Sequence, residues 1–205
     1  MGALRLDHVS LAVSRPLLDE LGLRVTTTAG GAGHARVLLD RCYLEVPESS
    51  ASHSRADLGW FLRPDDLDAA AELLRNAGIT ASDPAEYVGY DGRWLDVEPT
   101  ETFDASGLPT LTRRPDLDED EWPPPLIMPQ PNHVTGVAEL HVYSQAPDTL
   151  RLALEVLGAD RQDSGNYILS DGTTIVVDES QRAGGGISKL LFSRPGVPLG
   201  LELGP

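Results

Sequence analysis

The sequence predicts an α+β fold built from repeated βαβββ units. A strand, a helix that begins with proline, a glycine that ends the helix and further strands occur in that order from residue 4 and again from residue 134. A looser version, in which Pro-Asp begins the helix, lies between them at 58–115. We interpret this recurrence as an internal repeat of roughly 60 residues. A unit this small cannot bury its own sheet face, so the units are expected to pair.

The first unit, at 1–48, has the clearest pattern. Its opening strand, LRLDHVSLAV, carries alternating apolar residues whose phase slips once, between Leu6 and Val9. Pro16 then begins a short helix, and Gly22 ends it because a residue without Cβ suits a left-handed C-cap. Three further strands are predicted at 23–28, 34–40 and 42–47.

Similar signals predict the second and third units. In the second, an apolar strand at 58–63 precedes a helix with Asp65 as its expected N-cap and Gly78 at its end. In the third, a helix runs from Pro147 to Gly158. The remaining predicted strands and hairpins lie at 87–97, 108–113, 134–144, 166–169, 173–177 and 187–193.

An acidic, proline-rich stretch at 115–132 separates the second unit from the third. Runs such as DLDEDE and PPP are typical of solvated connectors, or of an arm or lid when they lie inside a compact domain. We therefore divide the chain into a domain at 1–130, which holds units 1–48 and 57–115 and this connector, and a third unit at 131–205 that packs on the first two.

Composition excludes several classes of protein. The 205 residues carry a formal net charge of −16, and no cluster of Lys or Arg forms the basic stripe that nucleic-acid binding requires. No run of about 18 apolar residues occurs, so we expect no membrane span. The N-terminus lacks the pattern of a signal peptide, and we expect a cytoplasmic protein.

A single cysteine, Cys42, limits the redox and metal chemistry of the chain. One cysteine cannot form an intramolecular disulfide or a thiolate metal cluster. Cys42 lies within an apolar strand, and we interpret it as an inert buried thiol rather than a reactive one.

The repeated unit, with histidine on its first strand and glutamate on its last, resembles the vicinal oxygen chelate superfamily and, more closely, its glyoxalase-like branch. The resemblance implies half-open curved sheets of the glyoxalase and bleomycin-resistance type. It also implies a divalent metal, which binds two adjacent oxygens of a substrate and stabilises an oxyanion. The stretches that carry it are LDHVSLAV at 6–13, GGAGHARVLLDRCYLEV at 30–46, WFLRPDDLDAAAELLRNAG at 60–78, LPTLTRRP at 108–115 and the third unit from Val134.

The resemblance places His8 and Glu45 on the two metal-ligand positions of the first unit. His34 matches a histidine of the branch, and we expect it to contact substrate. The corresponding strands of the second unit, at 59–61 and 111–113, offer no good ligand.

The third unit could complete the ligand set. When Pro147 is aligned with Pro16, Glu139 lies opposite His8, with His141 two residues further on the same side of the strand. Whether the first and third units pair is left open by the sequence.

The metal itself stays undetermined. One histidine and one carboxylate are too few for zinc, two histidines and one carboxylate suit iron, and magnesium prefers oxygen ligands. Zn, Fe, Mn, Ni and Mg are therefore not distinguished, and a site without metal is an alternative. Without metal, Glu45 or Glu139 is a candidate general base if both are buried, because burial beside a second carboxylate favours proton uptake.

Three aromatic residues, Tyr43, Trp60 and Trp94, are candidates for the wall of an apolar substrate pocket, although Trp on a strand is more often part of a core.

The leading hypothesis is a metal-dependent enzyme of isomerase, lyase or dioxygenase type that acts on a small oxygenated metabolite. The alternative is a metal-free protein that binds a small molecule, or confers resistance to one, in the same cavity. Exposed sheet edges favour a homodimer.

Overall fold

The computed structural model describes residues 2–27, 34–47, 59–86, 93–98, 107–113, 129–178 and 185–203. The first unit contains β1 (Leu4–Ser10), α1 (Arg15–Glu20), β2 (Thr26–Thr27), β3 (His34–Leu38) and β4 (Tyr43–Pro47). The second contains β5 (Gly59–Pro64), α2 (Leu67–Asn76), β6 (Thr80–Ala81), β7 (Ala85–Glu86), β8 (Arg93–Glu98) and β9 (Thr110–Arg113). The third contains β10 (Gly136–Tyr143), α3 (Pro147–Val156), β11 (Asp160–Arg161), β12 (Tyr167–Ile168) and β13 (Thr174–Asp178), followed by β14 (Gly186–Ser193) and β15 (Leu199–Glu202).

The first two units share one nine-stranded sheet with the order β2-β3-β4-β1-β5-β9-β8-β6, with β7 also paired to β8. In each unit the first strand runs parallel to the last, β1 beside β4 and β5 beside β9. The two units meet where β1 pairs antiparallel with β5. The question that the sequence left open is therefore answered, since the first unit pairs with the second. The α+β fold of repeated βαβββ units is confirmed.

A second, six-stranded sheet has the order β11-β12-β13-β10-β14-β15. Within it, β10 is parallel to β13 as β1 is to β4, so the third unit repeats the first. The antiparallel partner of β10 is β14, which occupies the position that β5 occupies beside β1. Strand β14, which closes the third unit, thus also begins a further, shortened unit that β15 continues. Strand β15 was not predicted from the sequence.

The helix ends agree with the sequence except at one cap. Gly22, Gly78 and Gly158 follow the three helices with φ of +70°, +79° and +96°, a region that L side chains rarely adopt. The N-cap of α2 is Asp66, whose carboxylate accepts a hydrogen bond of 3.0 Å from the backbone N–H of Ala69. The prediction of Asp65 was wrong by one residue, because the Asp65 carboxylate instead accepts from the N–H of Ala3.

A β-bulge interrupts the register of β1 between Leu6 and His8. The extra residue, Asp7, explains the single phase slip in the apolar pattern of this strand. On both sides of the bulge the apolar side chains reach the same core, Leu6 before it and Val9 after it. The bulge therefore keeps one face of β1 apolar while it sets Asp7 beside His8.

The apolar faces of both sheets join one hydrophobic core. It contains Val9 and Leu44 of the first sheet together with Leu140 and Val142 of the second. Helices α2 and α3 contact each other within this arrangement. Among the described residues, no helix is long and apolar enough to cross a membrane.

Hydrogen bonds that involve the backbone of β1 also connect the third unit to the first. The carbonyl of Leu4 accepts from the N–H and the hydroxyl of Ser170, at 2.9 and 2.7 Å. The carboxylate of Asp171 accepts from the N–H of Leu6, at 2.9 Å. The two sheets are therefore held at the start of β1 by specific polar contacts as well as by apolar burial. The predicted boundary near residue 130 agrees with the division between the sheets but remains a prediction as a domain limit.

We expect the Asp66→Ala substitution to lower the free energy of unfolding by roughly 0.5–2 kcal/mol, because an orphan N–H at the start of α2 loses its acceptor. Urea denaturation followed by circular dichroism measures the change. Asp66→Asn, whose amide oxygen can still cap the helix, is the matched control and should retain most of the stability. Equal losses in both variants would contradict the capping role.

Candidate functional site

The candidate site lies on the face of the first sheet that points away from the core, which we name the polar face. Successive side chains of a strand point to opposite faces. Since Val9 and Leu44 enter the core, their neighbours His8 and Ser10 on β1 and Tyr43 on β4 lie on the polar face. Strands β1 and β4 are adjacent and parallel, so the resemblance-based ligand candidates His8 and Glu45 do share this face.

His8 is held from three sides. Its ring is stacked between Tyr43, at 4.6 Å between centroids, and Phe61, at 3.8 Å. Its Nδ1 lies 2.7 Å from the carboxylate of Asp7, and both side chains are almost completely buried. An ionised Asp7 accepts a hydrogen bond from Nδ1–H, so a neutral His8 carries its lone pair on Nε2. The ring is thus fixed in orientation.

Glu45 forms an ion pair across the sheet with Arg36 of β3. Its Oε1 accepts hydrogen bonds from Nη2 of Arg36, at 3.1 Å, and from Nε, at 3.3 Å. The side chain of Arg36 is 26% exposed and that of Glu45 is 16% exposed. The ion pair is therefore more accessible than His8 and Tyr43 on the same face. The guanidinium carbon of Arg36 also lies 4.8 Å from the ring centroid of Tyr43, within cation–π range.

These contacts form a continuous line across four neighbouring strands, which we name the stacked row. It runs from Arg36 on β3 through Tyr43 on β4 and His8 on β1 to Phe61 on β5. Beyond Phe61 the polar face continues with Thr110 of β9, whose hydroxyl donates to Asp96 of β8 at 2.7 Å. The row is a platform of stacked rings with a charged group at one end.

The donor set of the described residues does not fit a zinc or iron site. In the described part of the chain, no group of three His, Cys, Asp or Glu side chains lies close enough together to hold a metal ion. Glu45 is neutralised by Arg36, and the register places Tyr43 and Phe61 directly beside His8. The corresponding position of β9 is Thr110. One histidine and one ion-paired carboxylate fall short of the three protein ligands that a zinc or iron site uses.

The other two candidate residues lie on the second sheet. Glu139 and His141 point away from the core because their neighbours Leu140 and Val142 enter it. They contact each other, with Oε2 and Nε2 3.1 Å apart, and 40% and 25% of their side chains are exposed. The structure therefore does not bring them together with His8 and Glu45, since each pair points outward from the shared core. A general base created by burial of two neighbouring carboxylates does not arise, because Glu139 is exposed and lies on a different sheet from Glu45.

Of the three aromatic residues predicted to line a pocket, Tyr43 and Trp94 lie on the polar face and Trp60 lies in the core. Tyr43 is part of the stacked row and only 1% exposed. Trp60 points into the core, where its indole N–H donates to the carbonyl of Gly107 at 3.1 Å, so it does not line the polar face. Trp94 lies on the polar face of β8, since its neighbour Leu95 enters the core. His34 begins β3 opposite Pro47, and its side chain lies outside the described residues.

Sequence reasoning missed Asp7, Arg36 and Phe61. The signal for Arg36 was its place in the HARVL hairpin strand, opposite Glu45 in the register. Asp7 could have been found as the residue that breaks the apolar phase of β1. Phe61 had no local signal, because only the antiparallel pairing of β1 with β5 sets it against His8.

Comparisons with known proteins give the fold its class. No protein-family model matches the sequence, and no curated protein does. A hypothetical protein from Staphylococcus aureus is similar in structure, with 11% identity, a TM-score of 0.56 and coverage of 88% of each chain. Homoprotocatechuate 2,3-dioxygenase from Arthrobacter globiformis has 13% identity and a TM-score of 0.51 over 89% of this chain and 62% of that one. A mutant of 4-hydroxymandelate synthase from Streptomyces coelicolor has 15% identity and a TM-score of 0.54 over 94% and 71%.

These likenesses, together with the sheet order, show that the chain has the fold of the vicinal oxygen chelate proteins. At such low identities they show the fold alone, and the glyoxalase-like branch stays a prediction.

We expect Cys42 to be unreactive in the folded protein. Burial raises the pKa of its thiol to about 12, with a smaller contribution in the same direction from the Asp171 carboxylate. At about pH 8 the nucleophilic thiolate is therefore absent from the native state. A disulfide reagent that releases a coloured thiolate should label native protein only at the rate of unfolding, and urea-unfolded protein at once. Rapid labelling of the native protein would contradict the burial.

Proposed function

We propose that the protein binds a small oxygenated organic molecule on the polar face of its first sheet and that this binding needs no metal ion. The observation that carries the proposal is the Arg36–Glu45 ion pair beside the stacked row. It occupies the carboxylate that would otherwise serve as a metal ligand, and it offers a charged hydrogen-bonding group next to stacked aromatic rings.

The chemistry of the polar face favours a ligand with oxygen acceptors. Arg36 carries five N–H donors in a planar fork, and the ion pair engages that of Nε and one of Nη2. The remaining donors suit a carboxylate or a pair of oxygens. On the other side of Phe61, the Thr110–Asp96 pair supplies a hydroxyl and a carboxylate for polar groups at the far end of the ligand. We therefore favour an aromatic hydroxy acid, whose ring would lie along the row.

His8 contributes orientation in this proposal. Because Asp7 holds Nδ1 and the rings of Tyr43 and Phe61 cover both faces, the Nε2 edge is the part of His8 that these contacts leave for a ligand proton. A hydrogen bond there would hold a ligand hydroxyl in a fixed direction. The same geometry would let His8 accept a proton at Nε2 if the bound molecule reacts.

The second candidate is the metal-dependent enzyme of isomerase, lyase or dioxygenase type. Two observations favour it: the structural likeness to chains named as a 2,3-dioxygenase and a 4-hydroxymandelate synthase, and the common face of His8 and Glu45. It requires Glu45 to break its ion pair with Arg36, and it requires at least one further metal ligand.

Two measurements test the proposal. The first is binding of homoprotocatechuate or 4-hydroxymandelate in the presence of a chelator, measured by calorimetry. We expect binding to persist with the chelator and to be lost in Arg36→Gln, because the charge-assisted hydrogen bonds disappear. Arg75→Gln is the matched control. Arg75 of α2 forms a surface ion pair with Asp83, so this substitution should leave binding unchanged.

The second measurement is elemental analysis of the purified protein and of the His8→Ala and Glu45→Ala variants. Under the proposal none of the three carries stoichiometric metal. Stoichiometric metal in the unaltered protein that disappears in both variants would overturn the metal-free proposal and establish the second candidate as the better account. Loss of binding in Arg75→Gln as well as in Arg36→Gln would also count against a specific site on the polar face.

A further inference from the structure

A cavity lies at the junction of the two sheets, and no residue of the stacked row lines it. Its volume is about 410 Å³, which falls within the range of small-molecule sites. None of Arg36, Tyr43 and Glu45 lines it. We name it the junction pocket. Its lining includes Ser10, Val13, Leu17 and Gly59 on the side of the first sheet and Tyr143 and Ile187 on the side of the second.

The junction pocket depends on a residue without a side chain. A Cβ built on Gly59, at the start of β5, meets no atom within 4 Å. Because Gly59 also lines the junction pocket, there is room for a side chain at the border of the cavity. On the second sheet the position of Tyr143 is fixed by close packing, since a Cβ on Gly107 would lie 2.0 Å from the carbonyl oxygen of Tyr143. The cavity is thus bounded by closely packed backbone.

The lining combines apolar side chains with polar hydroxyl and backbone groups. Aliphatic groups of Val13, Leu17 and Ile187 and the ring of Tyr143 form its walls. Glu202 also borders it, but its carboxylate is 73% exposed and forms an ion pair of 2.7 Å with Lys189. No Lys, Arg or His belongs to the described lining, so the junction pocket offers nothing to neutralise an anion.

Among the described residues, one buried polar group of the junction pocket has no hydrogen-bond partner. The hydroxyl of Ser10 is buried, with the residue only 2% exposed, and it makes no hydrogen bond within the described residues. An unsatisfied buried hydroxyl is costly, and native structures usually satisfy such groups. A ligand oxygen in the junction pocket would supply the missing partner.

We infer that the junction pocket is a second binding site, which takes an uncharged ring compound that carries a hydroxyl or carbonyl group for Ser10. The apolar walls bind the ring system, and Ser10 selects the oxygen. This site does not rest on the polar-face proposal, because it shares no residue with the stacked row and prefers neutral ligands to acids.

Fluorine NMR of three matched probes tests the inference: 6-fluoro-2-naphthol, 2-fluoronaphthalene and 6-fluoro-2-naphthoate. We expect the naphthol to bind most tightly, the hydrocarbon about tenfold more weakly because it leaves Ser10 unsatisfied, and the carboxylate not measurably. Equal binding of the naphthol and the naphthoate would overturn the assignment of a neutral ligand, and no binding of any probe would overturn the site itself.

Substitutions locate the binding. Gly59→Val adds a side chain at a position on the border of the cavity where a Cβ meets no atom within 4 Å. It should abolish naphthol binding, and cooperative unfolding would show that the variant is folded. Ser10→Ala should weaken the naphthol about tenfold and leave 2-fluoronaphthalene unchanged. It should also leave the stability of the free protein unchanged or raised, since it removes an unsatisfied hydroxyl.

Arg36→Gln separates the two proposals. It should leave naphthol binding intact even where it abolishes binding of an aromatic hydroxy acid. Naphthol binding that survives both Gly59→Val and Ser10→Ala, or that is lost with Arg36→Gln, would show that the junction pocket is not the binding site.

Discussion

The antiparallel pairing of β1 with β5 is the interaction on which the rest of the structure depends. It joins the first two units into one sheet and leaves β1 between a parallel neighbour, β4, and an antiparallel one. The polar residues Asp7, His8 and Ser10 of this central strand are almost inaccessible, and the neighbouring strands supply the rings of Tyr43 and Phe61 that cover His8. The bulge at Asp7 is what allows one strand to serve an apolar core on one side and a polar row on the other.

The burial of these polar groups requires compensation, because a polar group taken out of water without a partner is strongly unfavourable. His8 obtains it from Asp7 and from two flanking rings, and Glu45 obtains it from Arg36. Removing one member of such a pair is costly, because the other is left with an uncompensated charge. The polar face is therefore a set of mutually dependent contacts. A metal ion would have to displace Arg36 from Glu45 in order to use that carboxylate.

The third unit repeats the topology of the first without repeating its chemistry. The strand β10 carries Glu139 and His141 at the positions corresponding to the buried segment of β1. Both are partly exposed, and within the described part of the chain their side chains pair with each other. The two sheets share their apolar faces, so Glu139 and His141 point away from His8 and Glu45, and the four residues do not form one site. What the sheets do create jointly is the cavity at their junction, where the end of β1 meets the start of β14.

The sequence by itself determined the repeated units and the helices with their proline starts and glycine ends, because these follow from local periodicity and backbone conformation. The pairing of His8 with Glu45 was implied only by the family resemblance, and the register of β1 with β4 places both on one face. The sequence also indicated Cys42 as a buried thiol. It did not determine which units pair, and with that it missed Phe61 beside His8 and the position of Glu139 and His141 on a separate sheet. Those facts depend on strand register and on which faces share a core, and both are set by contacts between residues far apart in the chain. For the same reason the resemblance to a metal-binding family nominated two ligands, whereas only the tertiary structure showed that one is already ion-paired with Arg36 and that the other is stacked between two rings.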